Sequence, residues 1–353
     1  MDEMNSDLLS PTTNRAPRIV TTRSALVTRR WAAAAFGCLL TIAVFALTYW
    51  FFIQTTSGQL ADEAAFKGAQ QYLGDGTRFS DPLQSFLGFL PQTAAILGAV
   101  ALIIAGFVRR SATAPLIAGA TWALASYSTQ VLKHSILERP SLGVTSLANN
   151  SFPSGHTTFG TAAMVAILLV VAPRWRPLVA LLGGGVSLVT GVSTVALGWH
   201  RPSDVIGAYL VCAFWGFIGG ALVLVTGKSW NMRRMGDSST RLVHVGELPL
   251  WPALMWFTAG LLGLAAPVIY FLATQPTAAS ELLAMNSWMF VAGIFLMSAT
   301  ALYVFATLNS FLSYLRTRES FLDDADQQPV WTSPVVTAPQ AEKTGRAASS
   351  YEL

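Results

Sequence analysis

Eight stretches of this chain contain no Asp, Glu, Lys or Arg: residues 31–53, 84–108, 114–132, 154–172, 178–197, 205–226, 251–273 and 286–314. Most of them approach or exceed the roughly 20 residues that span a hydrocarbon core. Within lipid each backbone N–H and C=O must be satisfied inside the protein, and a helix does this for a single segment. The expectation is an all-α polytopic membrane helical bundle of about eight transmembrane helices. Only 11% of residues are charged and 53% are hydrophobic, against about 25% charged in soluble domains. The first run exceeds a signal-peptide core and ends in Tyr49-Trp50-Phe51-Phe52 rather than a small-residue cleavage site, so it reads as a retained helix. Gly183, Gly184, Gly185 and Gly191 interrupt the fifth run; glycine is tolerated in bilayers and lets helices approach closely. Cys38 and Cys212 fall inside predicted spans, which gives no support to a disulfide framework or a zinc cluster.

Charge placement orients the bundle. With the N-terminus in the cytoplasm, only Lys67, Arg78, Lys133, Arg139 and Arg201 fall on the outer side, and the other 17 of the 22 Lys and Arg residues fall on the inner side. The positive-inside rule then puts both termini in the cytoplasm. The net charge of +4 reflects arginines near anionic lipid, and no basic stripe with interleaved aromatics suggests a nucleic-acid partner. Residues 1–29 and 315–353 read as disordered cytoplasmic tails, being rich in polar residues without a core-forming pattern. The absence of Asp, Glu, Lys and Arg within the spans weighs against an ion-coupled transporter or a voltage sensor.

The ionisable groups near the membrane gather in three clusters on the outer side. Pro153-Ser154-Gly155-His156 precedes the fourth apolar run. Ser154 there is a natural N-cap, Gly155 exposes backbone, and the free amides of a helix N-terminus attract phosphate. In His200-Arg201-Pro202-Ser203-Asp204, a spacing of four lets the carboxylate reach the imidazole across one turn. A carboxylate on one ring nitrogen fixes the tautomer and frees the other nitrogen as a nucleophile. Lys133 and Arg139 follow the third run and supply cations, the guanidinium with bidentate geometry. Each cluster alone also fits a blander role: a capping turn, an interfacial ion pair, or cations snorkelling to headgroups. The loop at 54–83, with Asp62, Glu63, Asp75 and Asp81, reads as solvated, the alternative being a loop that covers the site or selects headgroups. His134 reads as a surface residue, and Asn149-Asn150-Ser151 as a chance glycosylation pattern.

Taken together, the three clusters resemble the motifs of the type 2 phosphatidic acid phosphatase family, which includes the lipid phosphate phosphatases and haloperoxidase-related proteins. The resemblance covers roughly residues 84–226. Pro-Ser-Gly-His is matched in full. The third motif (Ser-Arg, five residues, His, three residues, Asp) is matched at Ser193, His200 and Asp204. Thr194 stands where that motif has arginine, and five rather than six residues separate Lys133 from Arg139. Arg201, next to His200, is a candidate substitute for the missing cation.

The resemblance implies a six-helix phosphatase core, here residues 30–226, with residues 227–314 adding a cytoplasmic loop and two further helices whose expected roles are packing or self-association into a homo-oligomer. It implies that His200 is the nucleophile, His156 the acid and base, and Asp204 the orienter. Lys133, Arg139, Ser154, Gly155 and, as the substitute cation, Arg201 would bind phosphate. No cofactor and no metal is implied, since the carboxylates outside the spans are scattered. The expected function is hydrolysis of a membrane lipid phosphate, such as phosphatidic acid, phosphatidylglycerol phosphate or a polyprenyl (di)phosphate, through a phosphohistidine at the extracytoplasmic face of the cell membrane. The alternatives are a phosphotransferase on the same scaffold and a non-catalytic lipid binder or permease.

Overall fold

A computed structural model describes residues 23–73, 76–78, 80–144, 150–226, 250–274 and 282–326. Its long helices are α1 (Arg23–Gln54), α2 (Thr56–Leu73), α3 (Ser80–Arg109), α4 (Thr113–Val131), α5 (Gly155–Val170), α6 (Arg176–Ala196), α7 (Pro202–Thr226), α8 (Leu250–Ala273) and α9 (Leu282–Asp326). The described residues contain no strand, and the chain is an all-α membrane bundle. Each of the eight apolar runs forms a helix. α1 already begins at Arg23 and α9 reaches Asp326, so helix extends into both stretches expected as tails. The rest of those tails, and the loop at 227–249, lie outside the described residues.

By length and apolarity, five helices among the described residues suit a membrane crossing, or six if the two halves of α3 are one span bent by 41°. Pro91 sits at that bend, where a residue without an amide N–H leaves the helix ladder one bond short. α5 has only 16 residues. α4 falls outside the set because hydroxyl residues dilute it, and these serve the interior: Thr121 and Thr129 are buried and donate to the carbonyls of Ile117 and Ala125. The Thr129 hydroxyl also meets that of Thr158 at 3.0 Å, which joins α4 to α5.

α7 is the central post. It is apolar around its whole circumference, 72% of its most apolar window is buried, and it packs against α1, α4, α5 and α9. A helix apolar on every side belongs in a core or in lipid, and here it occupies the core. α8, with 17% buried, lies at the periphery against α9. α9 is built into the bundle, touching α2, α6 and α7. Close approach is possible because small residues face it. A Cβ on Gly183 of α6 would come within 2.4 Å of the Phe305 ring, and one on Gly68 of α2 within 2.1 Å of the Asn286 carbonyl.

The loop expected at 54–83 is instead mostly helix. Thr55 caps α2 by accepting the Gly58 amide, and Gly58, Asp62, Ala65, Phe66 and Ala69 are buried at helical spacing. Asp62 and Glu63, expected in solvent, are 1% and 3% exposed. They are buried because arginine and serine partners from elsewhere in the chain meet them there.

Candidate active site

α5 opens the site. Ser154 is in extended conformation, and its side chain accepts the Thr157 amide at 3.4 Å, so it caps the helix as its position in the sequence suggests. Its hydroxyl donates to Thr157 Oγ1 at 2.9 Å, and its amide donates to the Asp204 carbonyl at 2.9 Å, tying the start of α5 to the start of α7. The segment before it is anchored by Phe152, which is wholly buried, stacks on Phe45 and Tyr49, and fits against Gly207. Asn150 braces the same segment by donating to the carbonyls of Leu137 and Lys133, at 2.7 and 3.1 Å. Asn149 lies outside the described residues.

Lys133 sits in a π-helical turn, Leu132–Ile136, that continues α4. Such turns recur at functional sites because they reset the direction of a side chain. Beyond it, Tyr49 and Gln54 of α1 both donate to the Glu138 carbonyl, and Gln59 of α2 donates to the Pro140 carbonyl at 3.0 Å, which clamps the segment bearing Arg139.

His200 lies in the tight connection from α6 to α7. Gly198 has φ +76°, the left-handed conformation that commonly ends a helix, and the amides of Trp199 and His200 both fold back onto the Thr194 carbonyl. Thr194 itself is buried and donates to the Gly191 carbonyl. It serves the end of α6 where the resembling motif would have a cation. His200 Nδ1 is 3.4 Å from Asp204 Oδ2, an oxygen that also accepts the Arg201 amide at 2.9 Å. The Asp204 side chain is fully buried. Its other oxygen accepts from Arg139 Nη2 at 3.3 Å.

A pocket of about 380 Å³ is lined by Gln130, Lys133, Gly155, His156, Phe159 and His200. Four of the eight residues singled out by sequence, Lys133, Gly155, His156 and His200, thus meet on one wall. Asp204 stands behind His200, and the His156 ring packs on Trp199 at 5.1 Å. The other candidates are not on that wall. Ser154 is wholly buried beneath it, and Arg139 is behind Asp204. Arg201, the candidate replacement cation, is fully buried and gives Nε and Nη2 to Glu63 Oε2 at 3.2 and 3.0 Å. His134 is exposed. Gln130 and Phe159 were missed in the sequence. They lie one turn from Lys133 and His156 on the same helices, and that spacing was the available signal.

The acids of α2 were also missed as parts of the site. Asp62 accepts the amide and the hydroxyl of Ser203 and is 3.7 Å from Arg139 Nη2. Burial, aided by the neighbouring Asp204 charge, pushes the Asp62 carboxyl up to about 6, although Arg139 and Ser203 pull the other way.

No curated protein and no solved structure matches the chain. The model of the PAP2 superfamily matches residues 114–227, the segment that runs from the start of α4 to the end of α7 and carries Lys133, Arg139, His156, His200 and Asp204. By this match the segment from α4 to α7 is similar to the PAP2 superfamily, which is consistent with a type 2 phosphatidic acid phosphatase family member.

Proposed function

We propose that the protein hydrolyses the phosphate ester or diphosphate of a membrane lipid in this pocket, through a phosphohistidine on His200 and without a metal ion in either step. The similarity to the superfamily supports a phosphoric ester hydrolase acting on lipid phosphates. The observation that carries the finer reading is the convergence of two imidazoles, one ammonium and the N-terminal end of α5 on a single pocket. With Nδ1 facing Asp204, Nε2 is the ring nitrogen left to attack phosphorus. Separations such as 3.4 Å are common before substrate tightens a site.

In the first step His200 Nε2 bonds to phosphorus while the ester oxygen leaves with a proton from His156. In the second, His156 takes a proton from water, the resulting hydroxide attacks phosphorus, and the P–N bond breaks to free phosphate and restore His200. Lys133 and the first amides of α5 stabilise charge on the non-bridging oxygens, the electrostatic contribution that dominates phosphoryl transfer. Arg139 Nε and Nη1 have no acceptor among the described residues, which leaves those donors to polarise the site from behind. The lipid tail stays in the bilayer, and the site opens to the extracytoplasmic side, in keeping with the distribution of Lys and Arg.

The test is rapid quenching with substrate labelled on phosphorus. An acid-labile, base-stable label on the parent that is absent from His200→Ala is the expected result. Turnover without any such label overturns the covalent route, and label resolved mainly by added alcohols rather than by water makes the enzyme a transferase.

A further inference from the structure

α2 lies outside the matched segment, yet it reaches the back of the site through two adjacent buried acids. It is held firmly there, with Gly68 against the α9 backbone at Asn286 and Thr55 capping its start. Glu63 neutralises Arg201, the residue between His200 and Pro202. Asp62 does something different. Its two oxygens take the amide and hydroxyl of Ser203, at 3.0 and 2.5 Å, and it shares Arg139 Nη2 with Asp204. Two buried carboxylates therefore face one guanidinium, whose side chain is 3% exposed.

Resting on the reading of the site given above, we propose that Asp62 is a positioning residue for the His200 nucleophile: it draws Arg139 partly away from Asp204, so that the Asp204 charge remains available to the imidazole. The charge balance is simple. With Asp62 ionised, Asp62, Arg139 and Asp204 sum to one negative charge, and the His200 ring becomes cationic as the P–N bond forms. With Asp62 neutral, Arg139 cancels Asp204, and the developing cation loses its counter-charge. The groups facing Asp62 are Arg139 from the segment after α4 and Ser203 and Asp204 from α7, while its neighbour Glu63 is turned to Arg201. Its carboxyl is raised by burial, so an ionised Asp62 costs the fold stability. Such a cost is understandable in a group retained for activity.

The experiment compares parent, Asp62→Asn, Arg139→Gln and the double variant for phosphate release and for melting in detergent at pH 7.5. Asp62→Asn keeps one acceptor oxygen for the Ser203 amide, replaces the other by an NH2 that can donate to the Ser203 hydroxyl, and removes the charge. Expected is a fall in kcat on the order of tenfold with KM unchanged, and a melting temperature equal to the parent's or above it. In the double variant, kcat should match that of Arg139→Gln alone, since Asp62 acts through Arg139. A melting temperature below the parent's marks Asp62 as an ordinary structural contact and overturns the proposal, as does an unchanged kcat or additive losses in the double variant. If the parent releases phosphate and only these expectations fail, the positioning role alone falls. If the parent releases none, the reading of the site falls, and the positioning role with it.

Discussion

The residue that most sharply sets activity against stability is Asp62. Burial pushes its carboxyl up to about 6, above the ordinary value of 3.8. The folded state therefore binds more protons than the unfolded state between those values. The stability it contributes is fully present below about pH 4 and is lost as pH rises through about 6. Replacement by Asn mimics the protonated form. Asp62→Asn is expected to melt higher than the parent at pH 7.5, by a free energy of up to about 3 kcal/mol, with the gap closing below pH 4; melting curves across that range check the sign. Gly155 gives a second test. A Cβ there would lie 2.8 Å from Gln130 Nε2, a flexible side-chain end, so Gly155→Ala should displace the Gln130 amide from the pocket wall without unfolding the helix. The expected result is a rise in KM worth about 1 kcal/mol, measured by steady-state kinetics. His156, His200 and Asp204 were legible as candidates because each chemistry-bearing residue stands close in sequence to its partner or helix end. Asp62 was not, because an acid in a polar stretch reads as solvated, and what buries it comes from residues more than 70 positions away.

At the scale of elements, the eight apolar runs were legible because uncharged stretches of that length have few folds open to them, and each became a helix. α2 was not, since its buried residues are Gly, Ala, Gln59 and two acids, with Phe66 as the one large apolar side chain among them. The short link between α6 and α7 was legible only as a motif. Its geometry depends on Gly198, whose left-handed φ returns the chain so that His200 faces the pocket. Gly198→Ala should destabilise the protein by about 1–2 kcal/mol, the cost of a side chain in that region, because the nearby Gln70 amide can move aside. Thermal melting with parallel kinetics checks this, and a loss of kcat beyond the loss of folded protein is expected as the His200–Asp204 register shifts. α9, from sequence an appendage, packs along α2, α6 and α7 and thereby holds the acids of α2 in place.

At the scale of the whole molecule, the sequence suggests eight spans, whereas five or six described helices suit a crossing by length and apolarity alone. The difference lies in α4 and α5, which spend apolar length on hydroxyl contacts with each other and carry the first two motifs at their ends. We propose from the distribution of basic residues that both termini are cytoplasmic and the pocket lies on the other face. Protease protection of tags at the two termini in sealed, right-side-out vesicles tests this, and both tags should be protected. The chemistry itself is tested most directly by phosphate release from the purified protein in detergent with EDTA, over a panel of lipid and prenyl phosphates, with His200→Ala measured beside it. Release from at least one lipid phosphate that persists in EDTA and falls by at least about a thousandfold in His200→Ala is the expected result. Release that EDTA abolishes, or that survives in His200→Ala, would contradict metal-independent histidine catalysis in this pocket.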